Sequence, residues 1–213
     1  MNWGVFSSST RIANGAKLTL VIIVALLSGC ATTPPSNPDN ICDIFDDKSD
    51  WYKAAKKSEK KWGSSVPLMM SIMFQESQFK KNARPPRTRI LWIFPGPRAS
   101  NAYGFAQVKS ETWDDYQDDT RNTWARRDSF KDAVDFIGWY NVQSQVRSKV
   151  KLNDAYHLYL AYHEGHGGFN KRTYNSKGWL KSTAQKVATR TAEYTKQLMQ
   201  CEERFQSHWW WPF

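Results

Sequence analysis

Val66-Pro67-Leu68-Met69-Met70-Ser71-Ile72-Met73-Phe74-Gln75-Glu76-Ser77-Gln78-Phe79 is the stretch that decides the fold. It is almost wholly apolar from Val66 to Phe74 and turns polar at Gln75 and Glu76. Ser64 or Ser65 can cap a helix here, with Pro67 in the first turn, where proline is tolerated. A helix that is apolar on nearly every side belongs in the centre of a domain. Glu76 then sits at the rim of that helix. Ionising an acid there costs desolvation energy, and the negative end of the helix dipole adds to the cost. Both effects raise its pKa, so the acid keeps its proton near neutrality and can donate it. On position alone, an exposed helix-end glutamate is the competing reading.

The rest of the chain reads as helices around this one. Ser49 or Asp50 caps a helix through Trp62, with Trp51, Ala55, Ser58 and Trp62 on one face and a lysine-rich, solvated face opposite. Ser110 caps a short helix containing Trp113. Asp128 or Ser129 caps a longer one carrying Phe130, Val134 and Ile137. Asn153 or Asp154 caps Ala155 to Tyr162, which Gly165, Gly167 and Gly168 should stop. The last helix has the cleanest pattern: Leu180, Ala184, Val187, Thr191, Tyr194, Leu198, Cys201 and Phe205 alternate spacings of four and three. A coiled-coil seam is the alternative for that stripe. Arg84 to Arg98, with four prolines, reads as a long irregular loop whose Leu91-Trp92-Ile93-Phe94 patch covers a groove, touches lipid or folds back. Asn101 to Gln107 reads as extended. The fold class is therefore mainly α, with a long C-terminal helix and little or no β.

The termini bear on location. Arg11 and Lys17 precede an apolar run, Leu18 to Leu27, and then Leu27-Ser28-Gly29-Cys30. This is the pattern of a secretory signal, too short to span a bilayer comfortably. Leu-Ser-Gly-Cys resembles the bacterial lipobox, which implies cleavage after residue 29, lipidation of Cys30 and anchoring on a membrane. By the same resemblance, Ala31 after the cysteine, where an Asp would imply inner-membrane retention, implies the periplasmic face of the outer membrane. Residues 30–47 are read as a tether, Pro/Ser/Asn-rich over Thr32 to Asn40, and 48–208 as the domain. For the aromatic tail, 209–213, interfacial, packed and free placements all stay open. If Cys30 carries lipid, Cys42 and Cys201 remain, either as a disulfide in an oxidising compartment or as two buried thiols. No Cys or His cluster suggests a metal, and no cofactor is called for. The net charge is +10; removing Arg11 and Lys17 leaves +8. A basic surface suits an acidic polymer. Export argues against nucleic acid and for peptidoglycan, with its peptide carboxylates. The 11 tryptophans can stack on sugars or fill the core.

Three stretches carry the chemistry: Glu76-Ser77-Gln78-Phe79, Ala99 through Gln107, and Ala161-Tyr162-His163-Glu164-Gly165. In this order they resemble the soluble-lytic-transglycosylase-type domain, a lysozyme-like fold that cleaves peptidoglycan glycan strands. The resemblance covers most of the chain from Trp62 to Glu193. It implies that Glu76 is the acid/base, that Ser100, Tyr103, Gly104 and Gln107 contact substrate, and that Tyr162 faces the catalytic carboxyl. Glu164 either points into the groove or ends its helix. The sequence departs from the family pattern where Gly104-Phe105-Ala106-Gln107 lacks Leu-Met and where His163-Glu164 replaces Asn-Ala.

The resemblance implies one acid acting alone. It protonates the bridging oxygen between N-acetylmuramic acid and N-acetylglucosamine, then takes the proton of the attacking 6-hydroxyl, leaving a 1,6-anhydro end. The nucleophile belongs to the substrate, so the usual pair of carboxylates is not required. A hydrolytic muramidase with a water held by Glu164 or by Asp114 or Asp115 on the helix after the second motif, and a non-catalytic peptidoglycan-binding lipoprotein, are the rival readings.

Overall fold

A computed structural model describes Met1, residues 33–90 and residues 94–206. The expected signal peptide, Cys30 and the tail 209–213 lie outside the described residues. One compact unit begins at Pro34. Its elements are α1 (Ile41–Asp47), α2 (Ser49–Trp62), α3 (Val66–Ser77), β1 (Arg87–Ile90), β2 (Phe94–Arg98), α4 (Ser110–Thr120), α5 (Phe130–Ser148), α6 (Ala155–Asn170), a 3-10 turn (Thr173–Ser176) and α7 (Gly178–Gln206). The fold is mainly α, as the sequence predicts.

Helix α3 is the centre. Every residue from Val66 to Met73 is buried, and the helix packs on α7, α5 and α2. Its two buried hydroxyls are satisfied within the helix: Ser71 Oγ donates to the Pro67 carbonyl (2.8 Å) and Ser77 Oγ to the Met73 carbonyl (3.2 Å). The end of α3 is sharply defined. Gln78 and Phe79 both take left-handed backbone (φ 51° and 60°), an uncommon conformation for side chains of this size. The turn drives Phe79 back into the core against Trp51 and Phe74. Its burial holds the strained turn in place and fixes Glu76 at the rim.

The stripe on α7 packs inward: Leu180, Ala184, Val187, Tyr194, Leu198 and Cys201 are buried, with Thr191 and Phe205 at its margin. The helix lies against α3, α6 and α1. Helix α1 corrects the expected 30–47 tether. Ile41, Ile44 and Phe45 are fully buried, and the Asn40 side chain caps the helix at the Cys42 amide (2.9 Å). Just upstream, the Tyr194 hydroxyl donates to the Pro38 carbonyl, and Arg190 pairs with Asp39 (2.9 Å). A Cys42–Cys201 disulfide then joins the two ends of the domain across 159 residues. The short apolar run at 41–45 is too brief to announce a helix by period, so only its partners on α7 reveal it.

Residues 84–98 also depart from expectation. They hold an antiparallel hairpin, β1 with β2, paired at Arg87↔Arg98, Arg89↔Pro95 and Ile90↔Phe94. Pro95 and Pro97 lack a donor, which masks the strand pattern in sequence but is tolerated at a sheet edge. Leu91, Trp92 and Ile93 lie outside the described residues, and Phe94 is exposed. The tryptophans divide: Trp51, Trp113 and Trp139 fill the core, while Trp124 and Trp179 face solvent. Trp51 stacks on Phe130 at 4.0 Å with Phe105 edge-on, tying α2, α5 and the 101–107 segment together.

Candidate active site

Glu76, the penultimate residue of α3, opens onto a cavity of about 210 Å³. Burial pushes its carboxyl up to about 7, against the pull of a hydrogen bond from the Tyr159 hydroxyl. At neutral pH a large share of the molecules therefore carry the protonated acid. Tyr159 is buried on α6, and its own ionisation is pushed far up by burial and by the Glu76 carboxylate.

Three residues on, Tyr162 lies on the same face of α6 and lines the cavity. Its hydroxyl goes to the Ala106 carbonyl (2.6 Å), so this tyrosine locks α6 to the second motif while standing in the field of Glu76. The hydroxyl bonded to the acid is that of Tyr159, which the sequence reading missed. Its signal was available: Tyr159 precedes Tyr162 by one helical turn. Tyr140 on α5 completes the aromatic wall, edge-on to Tyr162 (5.1 Å) and stacked on His166 (4.6 Å).

The second motif is a tight turn rather than an extended segment, closed by an isolated bridge between Tyr103 and Val108. Gly104 has φ 81°, and a Cβ there would stand 2.0 Å from the Arg127 carbonyl oxygen, so only glycine fits. Gln107 also adopts left-handed backbone. Its amide donates to the carbonyls of Ala83 and Gly104, both at 2.8 Å, and it lines the cavity. Ser100 accepts from the Ala102 amide (3.3 Å), and the Tyr103 ring lies under the Arg84 guanidinium (4.3 Å). Ser100, Tyr103 and Gly104 are not among the residues lining this cavity; they build the loop that carries Gln107 to it.

The third motif corrects another expectation. Gly165 (φ 72°) interrupts α6, but the helix resumes and runs on to Asn170 rather than ending at the glycines. His163, Glu164 and Gly165 reach the cavity wall at this kink. The Glu164 side chain is only 3% exposed. Lys177 Nζ donates to both of its oxygens (2.7 and 2.9 Å), as does Thr173 to one, and His163 Nδ1 is 3.3 Å away. Burial alone would raise this carboxyl; those hydrogen bonds outweigh it and hold Glu164 below the ordinary glutamate value. One cavity thus holds two carboxyls driven apart, one protonated near neutrality and one ionised within an ion pair.

Glu111, Asp114 and Asp115 are exposed on α4 and do not line the cavity, although Lys109 and Thr112 beside them do. Among the described residues no group of three or more His, Cys, Asp or Glu is placed to hold a metal ion. A larger groove, about 430 Å³, opens between α3 and α7 but contains neither Glu76 nor any residue of the other two motifs. The Glu76 cavity is therefore the candidate site.

No curated protein and no solved structure matches the chain. One family does: the transglycosylase SLT domain matches residues 18–201, most of the chain and all three motifs. Together with the mainly helical fold, that match places this chain in the transglycosylase SLT domain family.

Proposed function

We propose that the chain is a peptidoglycan lytic transglycosylase that cleaves the β-1,4 bond between N-acetylmuramic acid and N-acetylglucosamine. The observation that carries this reading is Glu76, a desolvated carboxyl held near neutral pKa on the cavity wall. Protonated Glu76 gives its proton to the bridging oxygen as the bond from the muramic acid C1 breaks. The carboxylate left behind accepts the proton of the 6-hydroxyl, and O6 closes onto C1. Proton and bond counts balance, and Glu76 ends protonated as it began. Tyr159 steadies the ionised intermediate state of Glu76, while Gln107 and Tyr162 shape the sugar site. Ser100, Tyr103 and Gly104 act by supporting the Gln107 turn.

Glu164 supports this reading over a hydrolytic muramidase. An inverting hydrolase uses a second carboxylate with an oxygen free to hold the attacking water. Both Glu164 oxygens are engaged by Lys177. On this reading the place of action is the cell-wall space: residues 1–29 direct export and are removed, and lipidated Cys30 anchors the protein at the outer membrane.

Digestion of purified sacculi followed by mass spectrometry tests the proposal. Anhydro-ended fragments are expected, and none from Glu76→Gln. Reducing ends would establish hydrolysis instead. Binding of sacculi without cleavage would leave a non-catalytic lipoprotein.

A further inference from the structure

Between Glu76 and Glu111 the sequence holds seven lysines and arginines and no carboxylate. Four of these cations, Arg84, Arg87, Arg89 and Arg98, belong to the hairpin and its stem, and all four are exposed. Arg87 and Arg98 are direct partners across the strands. Like charges placed so are destabilising. Arg87 donates to the Gly96 carbonyl (3.4 Å) and Arg98 to the Pro85 carbonyl, and among the described residues Arg87, Arg89 and Arg98 form no ion pair. A guanidinium has five donors in a fork that matches a carboxylate. Among the described residues most of these donors meet no acceptor.

The hairpin is joined to the cavity wall at its base. Gln107, which lines the cavity, donates to the Ala83 carbonyl, and Gly104 donates to the same oxygen (3.0 Å). Arg84 stacks on Tyr103 in the same loop. An anion held by the hairpin would therefore lie along whatever polymer threads the cavity. On the reading proposed above, that polymer is a glycan strand, and its anions are the carboxylates of the peptides attached to it.

We propose that the arginine hairpin recognises stem-peptide carboxylates, so that the enzyme acts on peptide-bearing strands in preference to bare glycan. The inference rests on the lytic reading of the same site. Full-length protein is incubated with intact sacculi and with sacculi stripped of stem peptides by an amidase, and anhydro-ended product is measured. Intact sacculi should be cleaved about fivefold faster, the size expected of two solvent-exposed charge pairs, and added salt should erase the difference. In Arg87→Gln/Arg89→Gln the two substrates should be cleaved at the same rate. A variant that keeps the preference overturns the proposal, as does one impaired equally on both. If wild type cleaves neither substrate, the lytic reading falls, and co-sedimentation decides the inference separately. Tighter retention on peptide-bearing sacculi, lost in the variant, sustains it; equal retention overturns it. A variant that loses binding to anionic phospholipid vesicles, but keeps the sacculus preference, would assign the hairpin to a membrane and also overturn it.

Discussion

Replacing Glu76 with glutamine should remove activity and increase stability, and the increase should depend on pH in a defined way. The carboxyl stands at about 7 in the folded protein against 4.5 for an unperturbed glutamate. Between those values the native state binds a proton that the unfolded state has released, so stability falls as pH rises through the window. At about 1.4 kcal/mol per pH unit, the full cost above neutrality is about 3 kcal/mol. Glutamine has nearly the same shape and no charge, so it escapes this cost, and its oxygen can still accept from Tyr159. Urea unfolding with the disulfide intact measures the difference. The variant and wild type should match at about pH 4, diverge through the window, and differ by about 3 kcal/mol at about pH 8. The corresponding rise in melting temperature is roughly 10 °C. Cleavage should fall roughly 100- to 10,000-fold, because Glu164, the other carboxyl lining the cavity, is held ionised by Lys177 and cannot take over as the acid. Equal stability at about pH 8, or a gap that does not change with pH, refutes the placement of a desolvated acid at this position.

Tyr159→Phe removes the hydrogen bond that favours ionised Glu76; the alkaline limb of kcat/KM should move to higher pH, and a pH–rate profile with an unmoved limb contradicts the contact. Glu164→Gln breaks the tie between the α6 kink and Lys177. Glu164 has a lowered pKa, so the stability it contributes is present above the unfolded value and is lost as pH falls through the folded one. Because Lys177 is 39% exposed, the loss at neutrality should be about 1 kcal/mol, closing in acid. Denaturation curves at both pH values check this. Removing the Cys42–Cys201 link by a double Cys→Ser change should cost up to about 5 kcal/mol in the chain-entropy account of a loop of 159 residues; an unchanged urea midpoint argues that the bond adds nothing.

Local patterns were legible in the sequence because a helix records its environment in its own period. An all-round apolar run made α3 central, and the alternation of fours and threes on α7 announced which face it buries, Cys201 included. Three short motifs in order pointed to Glu76, and the mainly α fold followed from the same periodicities. The failures were also local. Helix α1 is too short to show a period, the prolines of β2 hide a strand, and the glycines of α6 read as a stop where one of them makes a kink.

Tertiary structure alone decided the company of Glu76. Tyr159 lies 83 positions away, and Lys177 reaches Glu164 across 13 positions through a turn and a kink. Tyr162 bonds to Ala106 across 56 positions, which is why its hydroxyl serves the turn rather than the acid. Residue types set which chemistry was possible, since a carboxylic acid at the edge of an apolar helix is both shielded and reachable. Which hydroxyl touches that acid, and which carboxylate beside it is neutralised by a lysine, depend on the packing of α3, α5 and α6 around one cavity. Such pairings act through space at a few ångströms, and nothing in the spacing of residues along the chain encodes them.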